Sequence, residues 1–429
     1  MAHRTIKSSY AELGERLNKF PQGAPPSELL YSILALIFTD EEARQVARLP
    51  VAPFRVEAAA RAWKSGRAEA ERILEQLAAK ALIVDTEADG ERLYFLPPPI
   101  AGFFEFSMMR LGDGGPDQRA LAELLYQYLD VEDDFIRELF GGGETQFGRV
   151  LVHEPSLDGD DHLHVLEYER ASAVIEDAYD LAVGVCYCRH KMHHLERACE
   201  APLELCMALN SAAGVIVRNG LGRRLETGEA LELLDRAHDH GLVQFAENVR
   251  ERVNFICNCC SCCCEPLNAA RRFAHLSPVH TTRFLPVVDD EACRGCGRCA
   301  EACPVASMTL AGDHGGGAPG DPRATVDETT CLGCALCVRA CPHDALELET
   351  RGRRIVTPLD SAHRCVVMAI ERGKLQNLIF SEQTRASHRA LAAILGVILD
   401  LPPLKQAMAS EQMKSRYLEA LVRRRQLWP

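Results

Sequence analysis

No apolar run in this chain is long enough to span a bilayer. The longest, 29–38 and 391–399, fall well short of the roughly twenty residues a spanning helix needs. Residues 1–19 are polar and charged, with no apolar signal core and no twin arginine pair, so a cytoplasmic location is expected. Neither glycine run, Gly141-Gly142-Gly143 or Gly315-Gly316-Gly317, fits G-x-G-x-x-G or a Walker loop between a strand and a helix. Both read as flexible loops, and no flavin or nicotinamide fingerprint is present. Basic charge is scarce too: 48 Lys and Arg stand against 61 Asp and Glu, a net charge of −13. The exception is the end of the chain, where 14 basic and 6 acidic residues follow position 350. The acidic remainder disfavours nucleic acid and suits a protein that meets partners through charged patches. With 429 residues, 47% hydrophobic and 25% charged, the chain has the composition of a globular protein of two to four domains.

Cysteine is plentiful, 19 in all, and it is clustered. Clustering argues against a disulfide scaffold, and metal-binding thiolates need a reducing compartment. The sharpest cluster reads Cys293-Arg294-Gly295-Cys296-Gly297-Arg298-Cys299-Ala300-Glu301-Ala302-Cys303-Pro304, and 331–342 repeats it. Each half is C-x2-C-x2-C-x3-C-P. Three cysteines two residues apart curl a loop around one corner of a cubane, and the fourth points to the other cluster. Cys293, Cys296, Cys299 and Cys341 are therefore assigned to one [4Fe-4S] cluster, and Cys331, Cys334, Cys337 and Cys303 to the second. Zinc sites use C-x2-C pairs, not four cysteines in this order closed by proline. The segment resembles the two-cluster bacterial ferredoxin domain. Within it, 310–322 reads as a surface loop, and 323–326 and 346–349 as short strands.

Residues 1–26 read as a polar arm. Ser27 is a plausible N-cap, and Thr39 a second. Helices are expected at about 28–37, 40–48, 56–63 and 68–82. A hairpin then turns at Asp89-Gly90. That order is winged-helix-like over 27–100. The helix before the hairpin carries Arg67, Arg72 and Lys80 against Glu69, Glu71 and Glu75, with no basic excess for DNA, so a protein-contact scaffold is favoured. A helical connector, 101–170, includes one amphipathic helix over 121–140.

A second metal region, 171–285, has ten cysteines. A buried strand at 181–185 is expected to deliver Cys186 and Cys188. Cys199 follows, and Cys206 is expected inside a helix over 203–213. Further helices are expected at 171–179 and 229–238. The run 257–264 then supplies Cys257, Cys259, Cys260, Cys262, Cys263 and Cys264. Thiolate sulfur suits iron-sulfur clusters and zinc, both of which need several converging ligands. Cys186, Cys188, Cys199 and Cys206 make one possible set of four. Adjacent cysteines seldom share a metal comfortably, so some of the second run are expected to be spare. Either each group holds its own centre or the two groups share centres across the fold. Buried apolar thiols would not account for six cysteines in eight residues. One or two additional iron-sulfur clusters are expected here, in preference to zinc. His190, His193 and His194 are open as ligands or surface residues, and Arg189 is expected to face cluster charge or an acidic neighbour.

Cys186-Tyr187-Cys188-Arg189, Cys199-Glu200-Ala201-Pro202, Glu204-Leu205-Cys206-Met207 and the run 256–264, placed before a two-cluster segment, resemble the cysteine-rich module of a broad family of bacterial and archaeal iron-sulfur proteins. The resemblance takes in 27–350. It implies electron transfer, often as one subunit of a redox complex, and fixes no substrate.

The basic tail, 351–429, reads as helical, with segments at 362–372, 382–399 and 405–425. Leu391, Ile394, Leu395 and Ile398 form an apolar stripe for packing on the same chain or for docking a partner subunit. Cys365 reads as structural. The fold expected is thus α+β: a winged-helix-like unit, a Cys-rich α/β metal module (171–285), a two-cluster ferredoxin domain (286–350) and a helical tail. The function expected is a non-catalytic electron-transfer subunit, relaying low-potential electrons to or from a partner oxidoreductase. The alternatives are a redox-sensing winged-helix regulator and a self-contained iron-sulfur reductase.

Overall fold

The computed structural model describes residues 8–88, 90–111, 115–141, 143–157, 166–311, 322–351, 357–382, 385–399 and positions 405, 407 and 408. Most of the expected 310–322 loop and of the 405–425 helix lies outside the described residues, as does Asp89. The fold is mixed helix and small sheet, with the ferredoxin-like segment joined to a larger α/β body.

The N-terminal helices start where the caps place them. Ser27 accepts from the Leu30 amide to open Glu28–Ile37, and Thr39 and Glu42 form a capping box at Asp40–Ala47. Val56–Trp63 and Arg67–Ala79 follow, then the antiparallel pair Val84–Ala88 and Glu91–Phe95. Phe54 bridges to Tyr94 through two backbone hydrogen bonds of 2.8 Å, adding a third short strand to the hairpin. The arm expected at 1–26 contains a helix, Ser8–Leu17, whose Leu13 and Leu17 are buried against the next helices. Its few apolar residues sit four apart, a narrow stripe among charges.

The single connector helix expected over 121–140 is broken. Gln118–Tyr126 widens into a π-helical turn, Gln127–Val131, and Asp134–Gly141 begins afresh. The break sends the Tyr128 ring into Phe104 and Phe135 and turns Asp130 toward Lys191. Asp133 and Asp134 then open the new helix, where negative charge is favoured.

The central element is a six-stranded sheet of order Gly148–Val150, Val243–Glu247, Phe255–Cys259, Cys206–Leu209, Leu181–Gly184, Gly222–Arg224, antiparallel throughout. One face packs with Asn210–Arg218 and the N-terminal helices in a large apolar core. The other packs with Ala171–Asp177 and Thr227–Asp239 in a second core. Cys206 lies on a strand, not in the expected helix, and the helix starts at Asn210. Met207, Ala208 and Leu209 are all buried, as residues of a central strand are.

The ferredoxin-like segment is internally two-fold. Phe284–Val288 pairs with Leu346–Thr350, and Met308–Ala311 with Arg323–Val326. The short helices Arg298–Ala302 and Leu336–Ala340 follow the two cysteine loops and pack together. It joins the body through His153, whose amide donates to the Cys334 carbonyl, and Thr282, whose hydroxyl donates to the Gly333 carbonyl.

In the tail, Ser361–Glu371 is bound to the body by Arg364–Glu247 at 2.7 Å and by Thr145–Glu371. Ala386–Leu399 instead leaves Leu391, Ile394 and Val397 at 47%, 60% and 71% exposure, so Leu391 and Ile394 of the expected stripe do not pack on the body. Among the described residues no helix is long and apolar enough to cross a membrane.

Candidate metal centres

Each half of the ferredoxin-like segment turns its loop with the same backbone pattern. Gly295 and Gly333 have φ of +62° and +69°, and Gly297 and Ala335 have +79° and +67°. At Gly333 a Cβ would overlap the Phe284 carbonyl and the Thr282 hydroxyl, and at Gly295 the Pro322 carbonyl. Only glycine lets the loop approach these groups so closely. The result is two cavities. One is lined by Cys293, Cys296, Cys299 and Cys341. The other is lined by Cys303, Cys331, Cys334 and Cys337. The fourth cysteine of each half thus faces the loop of the other half.

The residues fit iron-sulfur clusters. The Gly333 amide lies 3.4 Å from the Cys331 sulfur and the Ala345 amide 3.4 Å from the Cys341 sulfur, the N–H···S contacts that cluster thiolates accept. Burial pushes the Cys334 thiol up to about 12 and raises Cys331 and Cys337 as well. Such thiols keep their protons at neutral pH unless a metal replaces them. The first cavity reaches solvent at exposed Cys296, whereas Cys331, Cys334 and Cys337 are buried.

In the second cysteine-rich region the sheet itself sorts the ligands. Gly184 pairs with Cys206, and Met207 pairs with Ile256, so Cys257 falls on the next rung, opposite Cys206. Their sulfurs are 3.6 Å apart. Cys186 leads from the end of Leu181–Gly184 into the helix Tyr187–His194, which carries Cys188. The thiols of Cys186, Cys188, Cys264, Cys259, Cys257 and Cys206 make a continuous row of side-chain contacts. Five of them belong to, or pack against, the larger core, and Cys206 reaches it through Cys257. The remaining four, Cys199, Cys260, Cys262 and Cys263, gather separately, every sulfur within 4.8 Å of the others.

The set Cys186, Cys188, Cys199 and Cys206 is therefore not one site, because Cys199 joins the later run. Adjacent cysteines do meet: the Cys262 and Cys263 sulfurs are 3.6 Å apart. Among the four, the contact with Cys263 draws Cys260 down to about 4, helped by the Arg189 guanidinium, while Cys263 is pushed up by the same contact.

Arg189 is 1% exposed and donates to the Pro202 and Asn258 carbonyls and toward the Cys260 sulfur at 3.7 Å. It faces thiols and carbonyls and, among the described residues, pairs with no carboxylate. His193 is exposed, and His190 contacts the Met108 carbonyl and His194, so the histidines stand apart from the sulfurs. Sequence reasoning did not single out Lys191, which is fully buried between Asp130 and Glu265 at 2.7 Å, with the Tyr187 hydroxyl on the same Glu265. Its only sequence signal was a cation at i+3 from Cys188 on one short helix. Cys365 is half-buried in Ser361–Glu371, apart from the other thiols.

Residues 292–345 match the 4Fe-4S dicluster domain family. No curated protein and no solved structure matches the chain. The chain is an iron-sulfur protein with a ferredoxin-like dicluster segment and a separate cluster of cysteines.

Proposed function

We propose that the chain is a cytoplasmic electron-transfer subunit. It relays low-potential electrons through two [4Fe-4S] clusters and a further iron-sulfur centre, to or from a partner oxidoreductase. Cys293, Cys296, Cys299 and Cys341 hold one cluster, and Cys331, Cys334, Cys337 and Cys303 the other. The further centre draws its ligands from Cys186, Cys188, Cys206, Cys257, Cys259 and Cys264. The observation that carries the reading is the gradation of burial. One quartet opens to solvent at Cys296, and the other shares an apolar core with Cys188, Cys259 and Cys264.

A four-iron cluster, when bound, takes up and releases one electron at a time, at a potential set by hydrogen bonds and solvent access. The chain's own residues supply that setting. Val305, Leu332 and Leu336 keep water from the inner quartet. Amides of Gly333, Leu336 and Val338 face the sulfurs of Cys331, Cys334 and Cys337, and those of Ala300 and Ala345 face Cys299 and Cys341, contacts that tune the potential. The N-terminal unit is a winged-helix-like scaffold for protein contact. Arg67, Arg72 and Lys80, the cations of the helix before the hairpin, pair with Glu57, Glu69 and Glu42 of the same unit. Its hairpin is docked on the body by Arg218, which donates to the Asp85 carbonyl at 2.7 Å. The exposed stripe of Ala386–Leu399 is the surface for the partner subunit.

Anaerobic purification with iron and sulfide counting tests the reading. About eight irons per chain would leave the dicluster segment alone, and about twelve would support a third cluster. A colourless preparation, silent in paramagnetic resonance after dithionite, would end it.

A further inference from the structure

We propose that Cys199, Cys260, Cys262 and Cys263 hold a single four-coordinate ion, zinc or ferrous iron, in a closed thiolate site distinct from every iron-sulfur cluster. The argument is geometric. Four sulfurs bound to one ion at about 2.3 Å form a tetrahedron whose edges are about 3.8 Å. Here all four sulfurs lie within 4.8 Å of one another, and Cys199–Cys260 and Cys262–Cys263 are each 3.6 Å apart. Cubane ligands sit on four different irons, so the cube itself keeps their sulfurs much farther apart. Consistent with that, among the described residues no other three His, Cys, Asp or Glu donors are drawn together this tightly, the two ferredoxin quartets included.

The surroundings suit the charge. Four thiolates around a divalent ion carry two net negative charges. Arg189, buried and anchored on two carbonyls, aims its guanidinium at Cys260 from 3.7 Å and offsets part of that charge. Backbone amides of Cys263 and Cys199 donate to the Cys260 and Cys263 sulfurs, the outer contacts that orient thiolate ligands. All four positions are protein ligands, so no coordination place is left for substrate, which marks a structural site. The ion would staple the segment around Cys199 to the 260–263 loop. It would thereby fix the strand end from which Cys257 and Cys259 project into the opposite core. The site stands whether or not the chain relays electrons.

The test uses the full chain, purified without oxygen. X-ray absorption at the zinc edge should show four sulfurs at about 2.3 Å and no neighbouring metal. If the ion is iron, Mössbauer spectra should instead contain a high-spin ferrous component with four sulfurs, equal to one iron per chain. Cys199→Ser and Cys262→Ser should each lose one metal equivalent, with inorganic sulfide and the resonance of the reduced clusters unchanged. Loss of sulfide with several irons from both variants, or full retention of metal, would overturn the proposal. So would wild-type protein showing neither the zinc nor the single-iron signature, a reading that does not depend on how the variants fold.

Discussion

Gly333→Ala is the most discriminating single change in the dicluster segment. Gly333 has φ of +69°, where an L-residue costs about 1–2 kcal/mol. Its added Cβ would come well inside the 3.0 Å that real Cβ atoms keep, against the Phe284 carbonyl and the Thr282 hydroxyl. Both are fixed, because Phe284 lies in a paired strand and Thr282 donates to the Gly333 carbonyl at 2.8 Å. Relieving that overlap by moving backbone adds about 1–3 kcal/mol. The amide that meets the Cys331 sulfur moves with it.

Gly297→Ala is the control. Its φ is +79°, but a Cβ there meets only the Leu310 side chain at 3.6 Å. Ala335 already occupies the equivalent place in the second half, at +67°. Only the conformational cost applies, so the two variants should differ by the overlap alone, about 1–3 kcal/mol or roughly five- to a hundred-fold in cluster retention. The assay is iron and sulfide content, with resonance of the reduced protein, after timed incubation with a chelator without oxygen. Gly333→Ala should lose about four irons from the inner quartet while the outer one persists. Equal retention in the two variants would refute the close-approach argument.

Other outcomes follow from the same contacts. Cys296→Ala should lower iron content and stop electron throughput while the helices of 27–100 keep their far-UV circular dichroism; full throughput would count against the relay. Lys191→Met strands the buried carboxylate of Glu265 and the partly buried one of Asp130, and should cost about 3–5 kcal/mol in anaerobic urea unfolding. Removing the carboxylate as well, in Lys191→Met with Glu265→Gln, should recover part of that loss. The chain should not retard duplex DNA at any salt concentration; binding that weakens steeply with salt would favour the regulator. Ile394→Glu with Val397→Glu should change the unfolding free energy by no more than about 0.5 kcal/mol and reduce co-purification of a partner.

Much of the local structure is legible in the residues themselves. Ser27 and Thr39 announce helix starts, and the repeated cysteine spacing matches the cysteine lining of the two cavities. What the spacing does not reveal is which distant cysteines share a face. The answer lies in the pleat of one strand. Along Phe255–Cys259, alternate side chains point to opposite sides of the sheet. Cys257 and Cys259 therefore enter the larger core, while Ile256 lies in the second core and Cys260, just past the strand, packs against it. Read as a list, the run 257–264 has too many thiols for one centre, and some look spare. Read with period two along the strand, Cys257 and Cys259 fall on one face of the sheet and Cys260, just past its end, on the other. That reading needs the strand's extent and its antiparallel register with Cys206–Leu209, and both depend on contacts some fifty residues away. Taking Cys206 as helical hid that register, because a helix at Cys206 has no rung on which to set Cys257.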